Sequence, residues 1–341
     1  MVENICEKFL EIPLIMPPVR RIIAIGDIHG DYSLMIKTLK LGNVIDEDGE
    51  WIGGDTVVVQ VGDQLDDCRP LNELDRCDMK KNNFGGREKD ILHFYTELDR
   101  KARKKGGRVI SLIGNHEIAN IDGDFRLVSQ KGFEEFKKFT GPITGIEYDI
   151  KTGYEGRDLA FEKGRGEYAK FIGCTRVSFV IIGNFLFVHG GLFKNFLSQI
   201  GLTNTREGLI KFNEQIKNWI FGKSNISNEY FKHDSIFYDR YMGNLKSNKS
   251  DNDEECKDIK KLLESFEVGH IVIGHTPQFT NNLPLNGTCY INDGQKSLIY
   301  RIDTGSSQAF DEIVKKYKID ENLRKPQILE ILNNQNVNIL S

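Results

Sequence analysis

The sequence predicts an α/β fold in which polar loops follow the strands of a layered sheet. Apolar runs at 21–25 and 56–61 have the length of strands, and residues 32–40 between them place apolar side chains at helical spacing. A second helix predicted over 87–105 ends at a glycine pair and leads into another apolar run at 108–113. Such repeated strand–helix–strand units indicate an open sheet that binds ligands beyond the carboxyl ends of its strands.

Five short polar motifs each follow a strand-like apolar run. They are GDIHG at 26–30, GDQLD at 62–66, GNHE at 114–117, HGG at 189–191 and GHT at 274–276. One of these motifs alone would be an ordinary strand-to-loop turn, but the five in this order supply most of the His, Asp and Asn that a two-metal hydrolytic site needs. We therefore expect these loops to meet at one edge of the sheet.

Two neighbouring cation sites are predicted from the side chains of these motifs. An Asp-x-His pair at a strand end offers a hard carboxylate oxygen and an imidazole nitrogen, a combination that suits manganese, iron or zinc. An aspartate that bridges both cations would hold them about 4 Å apart. The predicted ligands are Asp27, His29 and Asp63 for one ion, and Asp63, Asn115, His189 and His275 for the other.

The charge of such a centre favours a phosphate substrate. Two divalent cations, two aspartates and a bridging hydroxide together keep a net positive charge, which attracts a phosphate dianion. The cations would acidify the bridging water toward neutral pH, and the resulting hydroxide would attack phosphorus in line with the leaving oxygen. The predicted reaction is therefore hydrolysis of a phosphomonoester.

His116 is the predicted general acid. Because it follows Asn115 directly, its side chain should project beside the cations rather than onto them, where it can protonate the leaving group. An imidazole in this role needs a partner on its other ring nitrogen, and Asp66, just after the bridging Asp63, is placed to be that partner. Glu117 is expected to have a supporting or a capping role, and the sequence leaves that choice open.

The motifs and their surroundings resemble the phosphoprotein phosphatase superfamily and, within it, the Shewanella-like protein phosphatases. The GNHE motif is followed by ANIDGDFR at 119–126, the last motif reads VIGHT at 272–276, and SIFYDR at 235–240 resembles that family's aromatic-x-Arg wall. The resemblance covers roughly residues 20–305. It implies a calcineurin-like four-layer αββα sandwich with a helical cap, two divalent cations with manganese favoured, and dephosphorylation of phosphoprotein at serine, threonine or tyrosine.

One residue departs from that family's pattern. Where the second motif of the family has arginine after its last aspartate, this chain has Asp67. A carboxylate facing the substrate there would cost on the order of 4 kcal/mol per charge pair at about 4 Å and an effective dielectric near 20, so Asp67 is expected to point away. Arg69 could take the vacated place, with Arg240 opposite and Asn115 as a further phosphate contact.

The placement of the motifs also predicts the domain organisation. The predicted divisions are an N-terminal extension at 1–20, a metallophosphoesterase domain at 21–310, and a C-terminal helix, strand and polar tail at 311–341. Inside the domain, 118–175 is predicted to form a helical cap, and the polar stretch 244–256 a flexible surface loop. A hairpin is expected about Asp293-Gly294.

Composition argues against several classes of protein. The 341 residues, 39% of them hydrophobic, can bury a sizeable core, and a net charge of −4 offers no basic surface for nucleic acid or acidic membranes. No run reaches the roughly 20 apolar residues of a membrane span. The six cysteines show no Cys-x-x-Cys pair, so we expect no disulfide framework and a cytoplasmic protein. The oligomeric state is left open.

Two other functions are compatible with the motifs. Asp67 favours a dinucleoside polyphosphate or cyclic nucleotide hydrolase, which would cleave nucleotides rather than release phosphate from phosphopeptides. A metal-bearing regulatory module without catalytic activity is disfavoured by the complete ligand set, because a degenerate scaffold would be expected to lose a ligand or His116. The expected partner of the leading prediction is a phosphoprotein or a small phosphoester.

Overall fold

The computed structural model describes residues 5–72, 74–80, 84–291 and 296–341. Within these residues the chain forms two six-stranded mixed sheets that pack face to face, with helices on both outer sides. The strands are β1 (Ile15–Met16), β2 (Arg21–Ile25), β3 (Val57–Gln60), β4 (Arg108–Leu112), β5 (Lys138–Thr140), β6 (Glu147–Asp149), β7 (Arg176–Val177), β8 (Phe179–Ile182), β9 (Phe185–Val188), β10 (His270–Ile273), β11 (Asn286–Ile291), β12 (Lys296–Arg301), β13 (Ile328–Leu332) and β14 (Asn336–Leu340).

Helices connect and cover these strands. The α-helices are α1 (Tyr32–Leu41), α2 (Glu88–Arg103), α3 (Asn115–Ile121), α4 (Gln130–Glu134), α5 (Gly153–Phe161), α6 (Glu167–Thr175), α7 (Phe196–Gln199), α8 (Arg206–Ile220), α9 (Tyr241–Asn244), α10 (Glu254–Ser265) and α11 (Asp311–Tyr317). Short 3₁₀ turns occur at Cys77–Met79, Asn228–Phe231, Gln278–Asn281, Gln308–Phe310 and Glu321–Arg324. In the part of the chain that the structure describes, no helix is both long and apolar enough to cross a membrane.

Each sheet has a parallel centre. The first sheet has the order β14-β13-β2-β3-β4-β7, in which β2, β3, β4 and β7 run parallel and β13 runs antiparallel to β2. The second has the order β1-β8-β9-β10-β12-β11, in which β9, β10 and β12 run parallel. Parallel neighbours end at the same edge of a sheet, and this brings the loops after β2, β3 and β4 together.

The core lies between the two sheets and under the outer helices. Val59 of the first sheet and Val272 of the second are fully buried in one apolar cluster between the sheets. Because side chains alternate along a strand, Val58 faces the other way onto α1 and α2, and Ile271 faces onto α8 and α10. The order helix, sheet, sheet, helix confirms the predicted αββα sandwich.

The first outer helix shows why the covering helices form where they do. Asp31 caps α1, since its side chain accepts a hydrogen bond from Leu34 N at 3.0 Å. Leu34, Met35 and Leu39 recur at helical spacing, and all three are buried against the first sheet. The cap and the stripe together fix where the GDIHG loop ends and the helix begins.

The cap region at 118–175 connects β4 to β7 and contains most of α3 together with α4, α5 and α6. It also contains β5 and β6, in which Phe139 pairs with Tyr148, so the expected helical cap has a small antiparallel sheet as well. Aromatic rings hold this region together: Phe136 lies 5.2 Å from both Phe161 and Tyr168, measured between ring centroids. These rings form the surroundings of a buried arginine described below.

The expected polar tail is wrong in part. Residues 336–340 form β14, which pairs along its whole length with β13. Val337 and Leu340 pack beside the two cores, and this contact gives an asparagine-rich segment a place in the sheet. The composition of this segment alone did not indicate a strand, because the segment becomes a strand by pairing with β13 at the edge of the sheet.

The expected loop at 244–256 also needs correction. Its last residues belong to α10, which begins at Glu254, and Ser250 pairs with Tyr290 in an isolated bridge. The turn expected about Asp293-Gly294 lies outside the described residues, while the flanking strands β11 and β12 pair antiparallel.

The cysteines form three disulfides, which makes the expectation of reduced thiols wrong. The pairs are Cys6–Cys174, Cys68–Cys77 and Cys256–Cys289. Two of these pairs join residues 168 and 33 positions apart, so no local spacing pattern could show them. Cysteines paired in this number are typical of proteins that mature in an oxidising environment.

Candidate active site

The five predicted loops meet at the strand ends, around the carboxylate of Asp63. Asp63 Oδ2 lies 3.2 Å from His189 Nε2, 3.6 Å from His116 Nε2 and 3.8 Å from His29 Nε2. Two groups of possible metal-ligating atoms result, each within 4.8 Å: one of His29, Asp63 and His116, the other of Asp63, His189 and His275. Asp63 therefore belongs to both groups, as a bridging ligand must.

The loops adopt an unusual backbone to achieve this. His29, Asp63, Asp66 and His275 all have positive φ, at 47°, 55°, 67° and 64°. Left-handed backbone costs a residue with a Cβ roughly 1–2 kcal/mol, and such residues cluster at functional sites. The sheets and the hydrogen bonds described below hold these four residues in place against that cost.

Asp27 joins the two sheets at the site. Its oxygens accept hydrogen bonds from His275 N at 3.0 and 3.2 Å, and its Oδ2 lies 3.8 Å from His29 Nε2. Burial, together with the nearby carboxylates of Asp303 and Asp63, raises the pKa of Asp27 well above its usual range. Buried carboxylates this close together repel one another, so nearby positive charge is needed to stabilise their ionised forms.

His189 and His275 turn their Nε2 atoms toward the site. Although burial opposes it, the Asp63 carboxylate raises the pKa of His189. His189 Nδ1 lies 2.9 Å from Val61 O, so Nδ1 carries the proton and Nε2 points to Asp63 and to Asn115 Oδ1, 2.9 Å away. His275 Nε2 is buried and has no hydrogen-bond partner. Burial and the neighbouring His189 lower the pKa of His275 well below its usual range, so its ring is neutral and has a free lone pair.

These observations fit a divalent metal centre. Although burial favours the protonated acid, His116, His189 and His29 hold the pKa of Asp63 well below its usual range, so it is a carboxylate. Carboxylate oxygens and imidazole nitrogens are the ligands that manganese, iron and zinc accept, and binding of a cation would displace protons from imidazoles such as that of His189. A cation would satisfy His275 Nε2, a buried nitrogen that has no hydrogen-bond partner in the described part of the chain.

Glu117, whose role the sequence left open, organises the loop around Asp63. Its carboxylate accepts hydrogen bonds from Gly114 N at 2.7 Å, Gln64 N at 2.8 Å, Asp63 N at 2.9 Å and Leu65 N at 3.3 Å. The GNHE motif thus holds the GDQLD motif by its backbone. Glu117 therefore both caps α3 and supports the loop that carries the bridging aspartate.

His116 and Asp66 are in direct contact. His116 Nδ1 lies 2.7 Å from Asp66 Oδ2, which leaves Nε2 facing the metal-ligating cluster. The other oxygen of Asp66, Oδ1, accepts hydrogen bonds from Asn120 Nδ2 at 2.8 Å and from Arg157 at 3.0 Å. The structure therefore brings together the two residues that the sequence predicted as general acid and partner.

Asp67 points away from the site, as the energy argument required. Its Oδ1 accepts a hydrogen bond from Ser129 N at 3.0 Å and its Oδ2 one from Ser129 Oγ at 2.7 Å, at the start of α4. This aspartate is therefore a link between the second motif and the cap. The carboxylate of Asp67 therefore does not face the substrate side.

The two arginines expected to bind phosphate flank the histidines. Arg69 is partly buried, and its Nη2 lies 2.8 Å from His29 Nε2 and 3.3 Å from His116 Nε2, while its guanidinium stacks 4.9 Å from the ring of Phe310. Arg240 is exposed and donates to His275 O at 2.9 Å. Arg69 therefore lies beside the group of His29, Asp63 and His116, and Arg240 is bonded to the backbone of His275 in the other group.

An open cavity of about 920 Å³ leads away from His116, and we call it the substrate trough. Its inner end is formed by Asp66, Asn115, His116 and Tyr238, and its outer part by Phe125, Phe133, Tyr154, Arg76 and Arg126. The ring of Tyr238 stands 6.2 Å from that of His275. The trough is large enough for a side chain and part of its backbone.

Several residues of the site escaped sequence reasoning. Arg157, Glu88 and Asn120 surround Asp66, and Asp303 has a buried Oδ2 without a hydrogen-bond partner near Asp27. Burial raises the pKa of Asp303 to about 6. Only the position of Asp303 directly after a strand gave a signal in advance.

The fold and site belong to a known class of enzyme. The family model for calcineurin-like phosphoesterases matches residues 20–279. The chain therefore belongs to the calcineurin-like phosphoesterases, and it is a metal-dependent phosphoester hydrolase.

Two of its relatives are named Shewanella-like protein phosphatases. The chain is 30% identical to Shewanella-like protein phosphatase 2 of Arabidopsis thaliana over 94% of this chain and 77% of that protein. It is 28% identical to Shewanella-like protein phosphatase 1 of Plasmodium berghei, over 84% of this chain and 67% of that one. It is also 34% identical to the uncharacterized protein R398 of Acanthamoeba polyphaga mimivirus, over 73% of this chain and 98% of that protein. These matches confirm the resemblance that the motifs indicated.

Solved structures confirm the fold. The cold-active protein-tyrosine phosphatase of a psychrophilic Shewanella species superposes with a TM-score of 0.60 at 20% identity, over 98% of this chain and 86% of that one. A likeness at this identity concerns the arrangement of strands and helices alone.

A first prediction separates a metal ligand from an ordinary buried histidine. His275→Ala should lose about one manganese ion per chain after gel filtration, because its free Nε2 is removed from the second group of ligands. His270→Ala is the matched control: His270 is also buried, but its Nδ1 bonds Ser297 O at 2.7 Å, away from the site. Elemental analysis should find equal metal in wild type and His270→Ala; equal metal in His275→Ala as well would remove it from the ligand set.

Proposed function

We propose that this chain is a protein phosphatase that uses two divalent cations to hydrolyse phosphomonoesters on a phosphoprotein. The relatives in Arabidopsis and Plasmodium are named protein phosphatases, which supports a protein substrate. The observation that carries the proposal is the His116–Asp66 contact of 2.7 Å, placed beside the Asp63 cluster and at the inner end of the substrate trough.

The proposed cation ligands are those of the motifs, with manganese favoured and iron or zinc possible ions. Asp27, His29 and Asp63 would hold one ion, and Asp63, Asn115, His189 and His275 the other. When bound, such ions supply an acidified water molecule as nucleophile and positive charge for the phosphate oxygens. The chain's own residues then perform the remaining tasks: orientation of the phosphate and donation of the proton.

His116 is the proposed general acid. Its Nδ1 is held by Asp66, so Nε2 is the atom that can give a proton to the leaving oxygen. Nε2 lies 3.6 Å from Asp63 Oδ2, close to the ligands yet turned toward the trough, where the leaving group of a phosphorylated side chain would lie. A proton from this position stabilises the developing alkoxide or phenoxide.

Arg69, Arg240 and Asn115 are the proposed phosphate contacts. Arg69 Nη2 lies 2.8 Å from His29 Nε2, and its N–H groups would be available to phosphate oxygens if a cation took the lone pair of that nitrogen. Arg240 lies on the other side, fixed by His275 O. Two guanidinium groups on opposite sides suit a phosphate dianion that must be held at fixed orientation.

The observations favour this function over the two alternatives. The case for a nucleotide hydrolase rested on Asp67, and the bonds of Asp67 to Ser129 remove that residue from the substrate side. A regulatory module is disfavoured because His29, Asp63, His189 and His275 cluster, Asp27 and Asn115 contact members of that cluster, and His116 pairs with Asp66.

We also propose an oxidising compartment for the mature protein. The cytoplasmic prediction rested on the spacing of the cysteines, and three disulfides in the described chain argue the other way.

A substrate panel tests the function. With manganese, wild type should release phosphate from phosphotyrosine and phosphoserine peptides and leave dinucleoside polyphosphates and cyclic nucleotides uncleaved. His116→Asn should lower kcat on the peptides by about 10²–10⁴-fold, since general acid catalysis is worth that much. Its manganese content should equal that of wild type. Nucleotide cleavage without phosphate release from peptides would contradict the proposal, and loss of metal from His116→Asn would make His116 a ligand instead.

The phosphate contact has its own test. Arg69→Ala should raise KM for a phosphopeptide by about 10-fold or more, because a hydrogen bond to a charged group contributes about 1.5–3 kcal/mol. Arg87→Ala is the control, since Arg87 stacks on Tyr32 and pairs with Asp90 outside the trough. Steady-state kinetics in which both variants match wild type would exclude Arg69 as a phosphate contact.

A further inference from the structure

We propose that Arg157, supplied by the cap helix α5, is a positioning residue that orients Asp66 and through it His116. This inference rests on the proposed role of His116 as general acid. The cap would then have two roles, because it lines the substrate trough and also helps to orient the residue that donates the proton.

Arg157 is completely buried, and its guanidinium is bonded on every side. Its Nε donates to Asn120 Oδ1 at 2.7 Å, its Nη1 to Glu88 Oε2 at 2.6 Å and to Gly132 O at 3.0 Å, and its Nη2 to Asp66 Oδ1 at 3.0 Å. A buried cation persists only where it is paired and its N–H groups are satisfied. The fork of an arginine is the group that can reach all of these acceptors at once.

These bonds leave Asp66 one orientation. Asp66 Oδ1 accepts from Arg157 and from Asn120 Nδ2, so only Oδ2 remains for His116 Nδ1. Asp66 N in turn donates to Glu88 Oε1 at 2.7 Å, so the backbone is fixed by the same carboxylate that pairs with Arg157. These bonds fix the plane of the Asp66 carboxylate and therefore also the direction of the His116 ring.

The cap contributes the rigid surroundings of this arginine. Rings of Phe136 and Phe161 each lie 5.2 Å from the guanidinium carbon. Asn120 also donates to His116 O at 2.9 Å, which ties the same network to the backbone of the acid itself. Four segments, α2, α3, α4 and α5, therefore meet at one arginine next to the His116–Asp66 pair.

A structural role alone would need only the bond to Glu88 and the packing of the two rings. The contact with Asp66 is the one that reaches the proton donor, and it predicts an effect specific to proton donation. A phosphoserine peptide has an alkoxide leaving group that needs the proton, whereas p-nitrophenyl phosphate has a stable leaving group that hardly does.

Leaving-group dependence tests the proposal. In Arg157→Lys, kcat for a phosphoserine peptide should fall about 10-fold or more beyond any fall for p-nitrophenyl phosphate, because a lysine keeps the charge but cannot reach Asp66, Glu88 and Asn120 together. KM and manganese content should stay at wild-type values. Asn120→Ala, which removes a second bond to Asp66 Oδ1, should shift the ratio in the same direction and serves if Arg157→Lys does not fold.

The matched control is Arg301→Lys. Arg301 is equally buried and donates to Leu245 O, Gly243 O and Asn286 Oδ1, none of which touches Asp66. Arg301→Lys should change kcat for the phosphoserine peptide and for p-nitrophenyl phosphate by the same factor. Equal losses on both substrates in Arg157→Lys and Asn120→Ala would overturn the proposal. A wild type inactive on every phosphoester, or His116→Asn without leaving-group dependence, would instead show that the proposed function itself has failed.

Discussion

The carboxylate of Asp63 is the point on which the rest of the site depends. It is buried, it lies on a left-handed stretch of backbone, and imidazoles of His29, His116 and His189 surround it within 3.8 Å. Such a carboxylate is stable only because positive charge and hydrogen bonds come to it from several loops. The two sheets of the sandwich are the frame that brings those loops together, since each ends its central parallel strands at the same place.

Successive layers of polar contacts keep this arrangement in register. Glu117 holds the backbone of Asp63 and its neighbours, Asp66 holds His116, and Arg157 and Glu88 hold Asp66. The glycine of the GNHE motif permits a close approach of the two loops, because a Cβ on Gly114 would overlap Asp63 Oδ1. In the proposed mechanism, function therefore depends also on residues that contact neither a cation nor the substrate but hold the side chains proposed to do so.

Much of this could be predicted because it is local in the sequence. The ligands follow apolar strand runs directly, and His116 and Asp66 lie beside them in the same motifs. Arg157 could not be predicted, because an arginine in a short amphipathic helix looks like a solvated charge until the cap folds over Asp66. The disulfides could not be predicted, because residues such as Cys6 and Cys174 meet only through tertiary structure. The strand β14 could not be predicted either, because its asparagine-rich segment becomes a strand only beside β13.

The central claim is that Asp63 joins two cations. Electron paramagnetic resonance of the manganese-loaded protein tests it most directly, because two ions that share a bridging carboxylate give an exchange-coupled spectrum distinct from that of isolated ions. We expect two manganese ions per chain with a coupled spectrum in wild type, and isolated-ion signals with reduced metal content in Asp63→Asn. A single uncoupled ion in wild type, or full coupling in Asp63→Asn, would contradict the account.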